Sequence, residues 1–450
     1  MARLVVVGGG ISGLAAAWTA RRRATALGLP LDVTVLDRGD AVGGKARSVA
    51  AGGWLLEGGP GGFIGGSAEL TALLAEAGLS GDALPATPAA ARRFIYRRGR
   101  LREVAFHPLT MLASGLVSPL GLARLLAEPF ISPRPDDGDE SVFDFAARRL
   151  GAEAAERLIA PMTLGVFAGD ARRLSLPAAF PRMAALEREH GSLIRGFIAR
   201  RGQTARGALT SFTAGMQTLP RALAERGGFE VRTRSLVRAL GRTDGRWQVA
   251  VDGADPIAAD RVILAGEPFA IGELLAPHAP DAARDLAAIP CPPVSVVGLG
   301  FRMADAPRVP RGFGVLISRG EGIRALGHLW DTHLFPGRSP EGHLLIRAMY
   351  GGAVDPVAAD LDDDALLALA RAEAGRLYGI TAAPAFGKVV RWPRAIPQYE
   401  LGHRERVARI ERAVEELEGI ELAGSGLRGV AFADAAASGV RAAERALTRM

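Results

Sequence analysis

Residues 3–13 read Arg-Leu-Val-Val-Val-Gly-Gly-Gly-Ile-Ser-Gly, and the rest of the chain is arranged around them. Leu4 to Val7 is a short, valine-rich apolar run bounded by glycine, the pattern of a buried parallel strand. Gly8, Gly10 and Gly13 follow on the G-x-G-x-x-G spacing, and Ser12 onward is rich in helix formers. Strand, glycine turn and helix come in the order a dinucleotide fold requires. Gly8 permits the tight turn, Gly10 lets the backbone approach a pyrophosphate, and Gly13 lets helix and strand pack closely. The helix N-terminus offers unpaired N–H groups and partial positive charge to the phosphates. A second strand, Asp32 to Leu36, ends at Asp37, where an acid accepts hydrogen bonds from an adenosine ribose. Gly43-Gly44-Lys45-Ala46-Arg47 adds a second glycine pair with cations just beyond.

The chain has 450 residues, 48% hydrophobic and 23% charged, enough for two or three domains with a large core. Its formal net charge is +7, and the cations are nearly all arginine, with Lys45 and Lys388 the only lysines. A surplus spread this widely favours anionic small-molecule or lipid partners. No basic block interleaved with aromatics marks a nucleic-acid surface. Cys291 is the one cysteine, so no internal disulfide forms; among prolines it reads as buried filler, not a nucleophile. The seven histidines are scattered, without metal-ligand spacing, so no metal site is expected. A strand begins almost at once, so no signal peptide is expected. No run of ~20 uncharged apolar residues marks a membrane span. Pro108 to Ala123 comes nearest; it is too short to cross, and on composition alone it reads as core.

Trp54 to Phe63 holds too many glycines for regular structure, and its backbone can approach something flat or charged. Arg92-Arg93-Phe94-Ile95-Tyr96-Arg97-Arg98-Gly99-Arg100 looks like a hairpin strand entering a new region, mainly helical from about Thr110 to Arg201. Inside it, Gly165 to Asp170 is expected as an irregular turn, and Glu187 to His190 as a charged helical turn. Phe229 to Leu240 and Gly245 to Val251 read as strands around a turn at Thr243-Asp244-Gly245, and Asp260 to Ala265 as a buried parallel strand. Val294 to Phe301, Gly312 to Ile317 and His343 to Met349 are strand-like, with one strong helix at Asp364 to Tyr378. Ile420 to Gly424 is a last buried strand, followed by a loop and a helix of small residues, Val430 to Leu447.

In this layout the chain resembles the flavin-dependent protoporphyrinogen/coproporphyrinogen oxidases, within the wider class of FAD amine oxidases and carotenoid desaturases. The resemblance spans essentially the full length. Val5 to Ala15, Gly43-Gly44, Glu57 to Phe63 and Leu422 to Gly439 carry its nucleotide-binding part. Arg92 to Tyr96, Gly165 to Asp170, Phe180-Pro181, Glu187 to Ile194, Gly312 to Leu316, Arg391-Trp392-Pro393 and Ile396-Pro397-Gln398-Tyr399 carry the rest.

The resemblance implies an α/β protein with a discontinuous Rossmann-type FAD-binding domain (1–90, 205–268 and 388–450). It also implies a helical membrane-associating domain (91–204) and an α+β substrate domain (269–387). Non-covalent FAD is expected to contact Gly8, Gly9, Gly10, Ile11, Ser12, Gly13, Asp37, Arg38, Gly44, Lys45, Gly59, Pro60, Gly61, Gly62, Val237, Ser425, Val430, Ala431 and Phe432. For the substrate, Arg93 is expected to pair with a propionate and Gly169 to offer a carbonyl to pyrrole N–H groups. Leu316, Leu329 and Met349 are expected to sandwich the macrocycle. No catalytic side chain is assigned, because the cofactor takes the hydride and the protein supplies position and electrostatics. The implied reaction is oxidation of protoporphyrinogen IX to protoporphyrin IX, with coproporphyrinogen III as the alternative substrate and O₂ as acceptor. The family further suggests a cytoplasmic protein, peripheral on the inner face of the membrane, and compatible with a homodimer. Rivals are an amine oxidase or desaturase, and a carrier that only holds flavin or porphyrin. Three departures stand out: Asp37 for the usual glutamate, Gly61-Gly62 where the family prefers Asn with Ser or Thr, and Ala433 for a common Asn.

Overall fold

The computed structural model describes residues 1–104, 107–134, 138–200 and 207–448. The expected boundary between 204 and 205 lies outside these residues. Five parallel strands form the central sheet, in the spatial order Glu230–Arg232, Leu31–Leu36, Ala2–Val7, Arg261–Leu264, Ile420–Leu422. The two ends of the chain thus flank one strand, Arg261–Leu264. The opening helix Ile11–Ala26 and the closing helix Phe432–Thr448 pack on each other through alanines, with Ala15, Ala16, Ala436, Ala442 and Ala443 fully buried. Small residues let the axes come close: a Cβ on Gly439 would overlap the Ser12 carbonyl oxygen.

A second sheet has seven strands, ordered Phe386–Trp392, Val294–Arg302, His343–Gly351, Gly327–Trp330, Gly314–Ile317, Arg93–Arg97, Arg100–Glu103. One face packs on the helix Asp363–Tyr378 through Val297, Leu299, Phe301, Ile346 and Trp330. The opposite face packs against the strand Trp54–Glu57, whose Leu56 and Trp54 fill the space above Gly298 and Gly300, ahead of the glycine-rich segment that follows Glu57. The hairpin Arg93–Glu103 pairs into this sheet instead of opening the helical region, because Arg93–Arg97 hydrogen-bonds in parallel with Gly314–Ile317. At the other limit, the helices Pro268–Leu275 and Pro280–Ala287 pack on the nucleotide sheet, with Ile271, Leu274 and Leu286 buried beside Val249 and Val262.

Three expected elements are corrected. Trp54 to Phe63 is not irregular throughout: Trp54–Glu57 is a buried strand paired antiparallel with Ser48–Ala51, and the glycine-rich path begins only at Gly58. Phe229 to Leu240 is not one strand: Glu230–Arg232 pairs into the parallel sheet and Val237–Thr243 begins a separate antiparallel layer. Between them Arg234 is left-handed (φ 52°), and the amides of Arg234 and Ser235 donate to the carbonyls of Gly39 and Asp37. That local turn satisfies the backbone and ends the strand. Gly165 to Asp170 is not a turn throughout. Gly165 to Phe167 end the helix Ala160–Phe167, and the chain breaks at Ala168, left-handed at φ 50°.

Among the described residues no helix is long and apolar enough to cross a membrane. The helices Pro108–Ser114 and Pro119–Leu126 do not bury all their apolar side chains: Leu109 is 72% exposed and Leu120 81%. Met111, Leu116 and Val117 are buried, so the composition-based expectation of core for Pro108 to Ala123 holds for one side of the segment and not for Leu109 and Leu120.

Candidate functional site

The strand Ala2–Val7 delivers the chain to Gly8, whose φ of 113° is a conformation that favours glycine. A Cβ there would sit 2.7 Å from the Ala265 carbonyl oxygen, and one on Gly13 would overlap the Gly8 carbonyl oxygen. Gly10 differs: a Cβ on it would meet nothing within 4 Å. The helix that follows has no side-chain cap at Gly10 and no acid in its first turn. By contrast, the helices after Ser67, Ser118, Ser141 and Ser192 each begin on a hydroxyl that accepts a backbone N–H. An uncapped N-terminus beside open space is a ready anion site, and a dinucleotide pyrophosphate fits it.

The Asp37 carboxylate accepts the Gly9 N–H (2.5 Å) and the Gly39 N–H (2.6 Å). It therefore braces the loop as well as standing where a ribose acid is expected. Arg38 is exposed beside it. The Gly43 N–H donates to the Gly9 carbonyl at 2.8 Å, which lays Gly44 against Gly10. Lys45 pairs with Glu267 at 2.7 Å and also donates to the Ala395 carbonyl. Val237 is buried two residues past the turn that clasps Asp37.

The loop Glu57–Gly62 is held from below by buried charges. Arg347 rises from the middle of the strand His343–Gly351 and is 3% exposed. Its Nη1 donates to the carbonyls of Gly59 (2.8 Å) and Glu57 (3.2 Å), and its Nε lies 2.9 Å from Asp331 Oδ2. A Cβ on Gly61 would overlap its Nη2. The Glu57 carboxylate accepts from Ser48 Oγ (2.7 Å) and the Met216 N–H (2.9 Å), near the buried Arg338. Burial raises its pKa, against those stabilising partners. Two acids and two arginines thus balance beneath the loop. Above it, the amides of Gly59, Gly61 and Gly62 take no acceptor among the described residues.

Strand alternation puts four of the expected substrate residues, Arg93, Leu316, Leu329 and Met349, on one face of the seven-stranded sheet. In register across it run Arg93, Gly314, Leu329, Arg347 and Gly298; the next row on the same face is Ile95, Leu316, Gly327, Met349 and Val296. Within Gly314–Ile317 and Gly327–Trp330, Leu316 and Leu329 are the only side chains not buried, and Met349 is half-buried between buried neighbours. Arg93 is exposed and stacks 5.3 Å from the Phe313 ring. Its neighbour Arg92 is neutralised by Glu103 at 2.8 Å, whereas Arg93 has no carboxylate partner among the described residues. Gly165 faces this surface, since a Cβ there would overlap Leu316 Cδ2. Gly169 is buried, and a Cβ on it would overlap Gln398 Oε1.

One segment, Arg391 to Tyr399, braces three loops around the site. Trp392 Nε1 donates to the Gly58 carbonyl at 2.6 Å. Gln398 Nε2 donates to the Phe167 carbonyl at 2.8 Å, fixing the break before Gly169. The Tyr399 hydroxyl donates to the Ser425 carbonyl, and His403, stacked 4.2 Å from Tyr399, bonds the Leu427 carbonyl at 2.9 Å. Burial lowers the His403 pKa to about 4, so the ring is neutral and Nε2 keeps its proton. Val430 and Ala431 lead from that loop into the closing helix, where Phe432 lies 6.0 Å from Phe63. Cys291 lies near Lys45, Glu267 and Arg394; burial pushes its thiol up to about 11, so it is no thiolate at neutral pH.

Sequence reasoning missed Arg347, Asp331 and the bracing roles of Trp392, Gln398 and Tyr399. A lone arginine inside the apolar run His343 to Tyr350 was the available signal for the first.

The family model for flavin-containing amine oxidoreductases matches residues 11–447. The protoporphyrinogen oxidase 1 of spinach chloroplasts is 32% identical over 89% of this chain and 75% of its own length. The coproporphyrinogen III oxidase of Bacillus subtilis is 28% identical over 91% of this chain and 90% of its own. A crystal structure from Exiguobacterium sp. 255-15, provisionally assigned as a protoporphyrinogen oxidase, superposes with a TM-score of 0.88 at 25% identity, covering 100% of this chain and 99% of that one.

Proposed function

Since the chain belongs to the flavin-containing amine oxidoreductase family, as an enzyme whose cofactor is FAD, we propose that it oxidises protoporphyrinogen IX to protoporphyrin IX. Three two-electron oxidations remove six hydrogens, and three O₂ taken up yield three H₂O₂. Bound FAD supplies the hydride acceptor.

The observation that carries this reading is the two-row face. Its apolar strip of Leu316, Leu329 and Met349 lies between the loop Gly58–Gly62 and the uncompensated Arg93. From Arg93 to Arg347 is three strand spacings, ~14 Å, room for a flat macrocycle. Apolar walls hold the ring, and Arg93 binds a propionate with a charge-assisted fork. Gly169, packed against Gln398 just past the Phe167 carbonyl that Gln398 holds, is the proposed acceptor for pyrrole N–H groups through its own carbonyl. Between Arg93 and Arg347 the two rows hold no carboxylate, histidine or lysine, which suits a reaction whose proton-coupled steps occur within the substrate's own enamine system.

The coproporphyrinogen III reading has support in the Bacillus subtilis relative. Relative kcat/KM on the two porphyrinogens, read by porphyrin fluorescence, separates them. Bleaching of flavin absorbance on anaerobic mixing with protoporphyrinogen IX is expected. Amine turnover without porphyrin fluorescence rejects both, and tight porphyrinogen binding without bleaching points to a carrier.

Membrane association belongs to the same proposal. Leu109, Leu120 and Phe130 (83% exposed) lie on neighbouring short helices, with Phe197 and Ile198 exposed on Leu193–Ala199. Sedimentation with lipid vesicles is expected, and charged substitution of Leu120 and Phe130 should abolish it.

A further inference from the structure

We infer that Arg347, with Asp331 as its counter-charge, is the positioning residue for the loop Gly58–Gly62, and that residue 61 is glycine because the guanidinium fills the volume its side chain would take. The inference rests on that loop facing FAD.

The geometry is specific. One edge of the guanidinium takes two carbonyls of the loop, Glu57 and Gly59, and the other takes the Asp331 carboxylate. A planar fork fixed by a carboxylate on one side presents its remaining N–H in a set direction. Those two carbonyls are thereby turned down into the protein. The free amides of Gly59, Gly61 and Gly62 are left for an acceptor outside the chain. Between the two carbonyls and Gly61 there is no room for both a side chain and the guanidinium. The departure at position 61 is therefore not a simple loss of a polar group: the guanidinium of Arg347, from far along the chain, stands in its place.

Charge gives a readout that packing alone would not move. With Asp331 present the guanidinium is balanced. Asp331→Asn keeps a hydrogen-bond acceptor but leaves a net positive charge under the loop, which stabilises added negative charge on a nearby group.

The experiment measures the FAD dissociation constant by flavin fluorescence and the flavin midpoint potential, on full-length chains whose apo melting is checked. Arg347→Met should weaken FAD at least tenfold. Asp331→Asn should shift the potential positive. Gly61→Ala should cost at least tenfold in the parent but under threefold in an Asp331→Asn/Arg347→Met background, where the volume is free. If Arg347→Met does not fold, Arg347→Lys serves: a folded protein with FAD at least threefold weaker supports the inference, and parental affinity overturns it. Equal cost of Gly61→Ala in both backgrounds, or an unmoved potential in Asp331→Asn, also overturns it. None of these readouts uses porphyrinogen, so failure of the substrate assignment would show separately, as a flavoprotein that binds FAD normally and leaves porphyrinogen unchanged.

Discussion

Two glycine loops are expected to meet the same cofactor, and they are glycine-rich for different reasons. In Gly8–Gly13 the crowding comes from the loop itself and the strand beside it: Gly13 against the Gly8 carbonyl, Gly8 against Ala265. In Gly58–Gly62 it comes from elsewhere in the chain: Val390 above Gly58, Arg347 under Gly61, the Thr210 carbonyl 2.7 Å from where a Gly62 Cβ would be. The first loop is demanded mainly by the path of its own backbone, and the second by side chains and carbonyls brought in from other parts of the chain. A motif can therefore specify the first by itself, whereas the second is intelligible only with its neighbours in place.

The sharpest way to break the contrast is Gly13→Ala. Its Cβ meets a carbonyl of its own loop, with no side chain to move aside. A loss on the order of 3 kcal/mol and a protein without flavin are expected, read by apo melting and absorbance. An unchanged melting temperature would remove the claim that this loop is locally dictated.

Gly10→Ala tests the same loop from the other side. Nothing in the chain opposes a Cβ there, so apo stability should stay within ~0.5 kcal/mol, while FAD affinity falls on the order of tenfold to a hundredfold. Parental affinity would put the pyrophosphate elsewhere.

Arg93→Leu probes the far end of the two-row face. Flavin content should be unaffected, and kcat/KM for the porphyrinogen should fall on the order of tenfold or more, the worth of a charge-assisted pair. Equal activity would mean that the propionate lies against another cation.

The smallest effect concerns acid sensitivity. Burial depresses His403 and His328 from 6.5 to about 4. Both are neutral when folded, while the unfolded chain takes up protons below about pH 6.5. Their stabilising contribution is full above 6.5 and is lost as pH falls toward 4. Each should cost about 1 kcal/mol between about pH 7.5 and about pH 6. Denaturant midpoints of His403→Gln against the parent should converge over that window.

Fold and cofactor were legible because both rest on short-range rules. The strand Ala2–Val7, its glycines, the helix after it, and the acid at 37 lie within one local unit, where spacing fixes geometry. Leu316, Leu329 and Met349 came from resemblance alone. The register of four strands, scattered over more than two hundred positions, is what puts them beside Arg93. The errors have the same source. Phe229 to Leu240 has the composition of one strand, but hydrogen bonds to Asp37 and Gly39 turn it. The hairpin at Arg93 to Glu103 forms as its sequence suggests, but the sheet it joins, whose other strands come two hundred residues later, is visible only in the fold.

By itself the amino-acid order determined that a parallel strand feeds a glycine turn and an uncapped helix, because backbone sterics and apolar alternation act between near neighbours. Only the tertiary structure decided why residue 61 is glycine, which arginine goes unpaired, and which carbonyls Trp392, Gln398 and Tyr399 hold. Those depend on groups that chain separation leaves unrelated until the sheets pack, when burial makes an unpartnered charge or N–H costly.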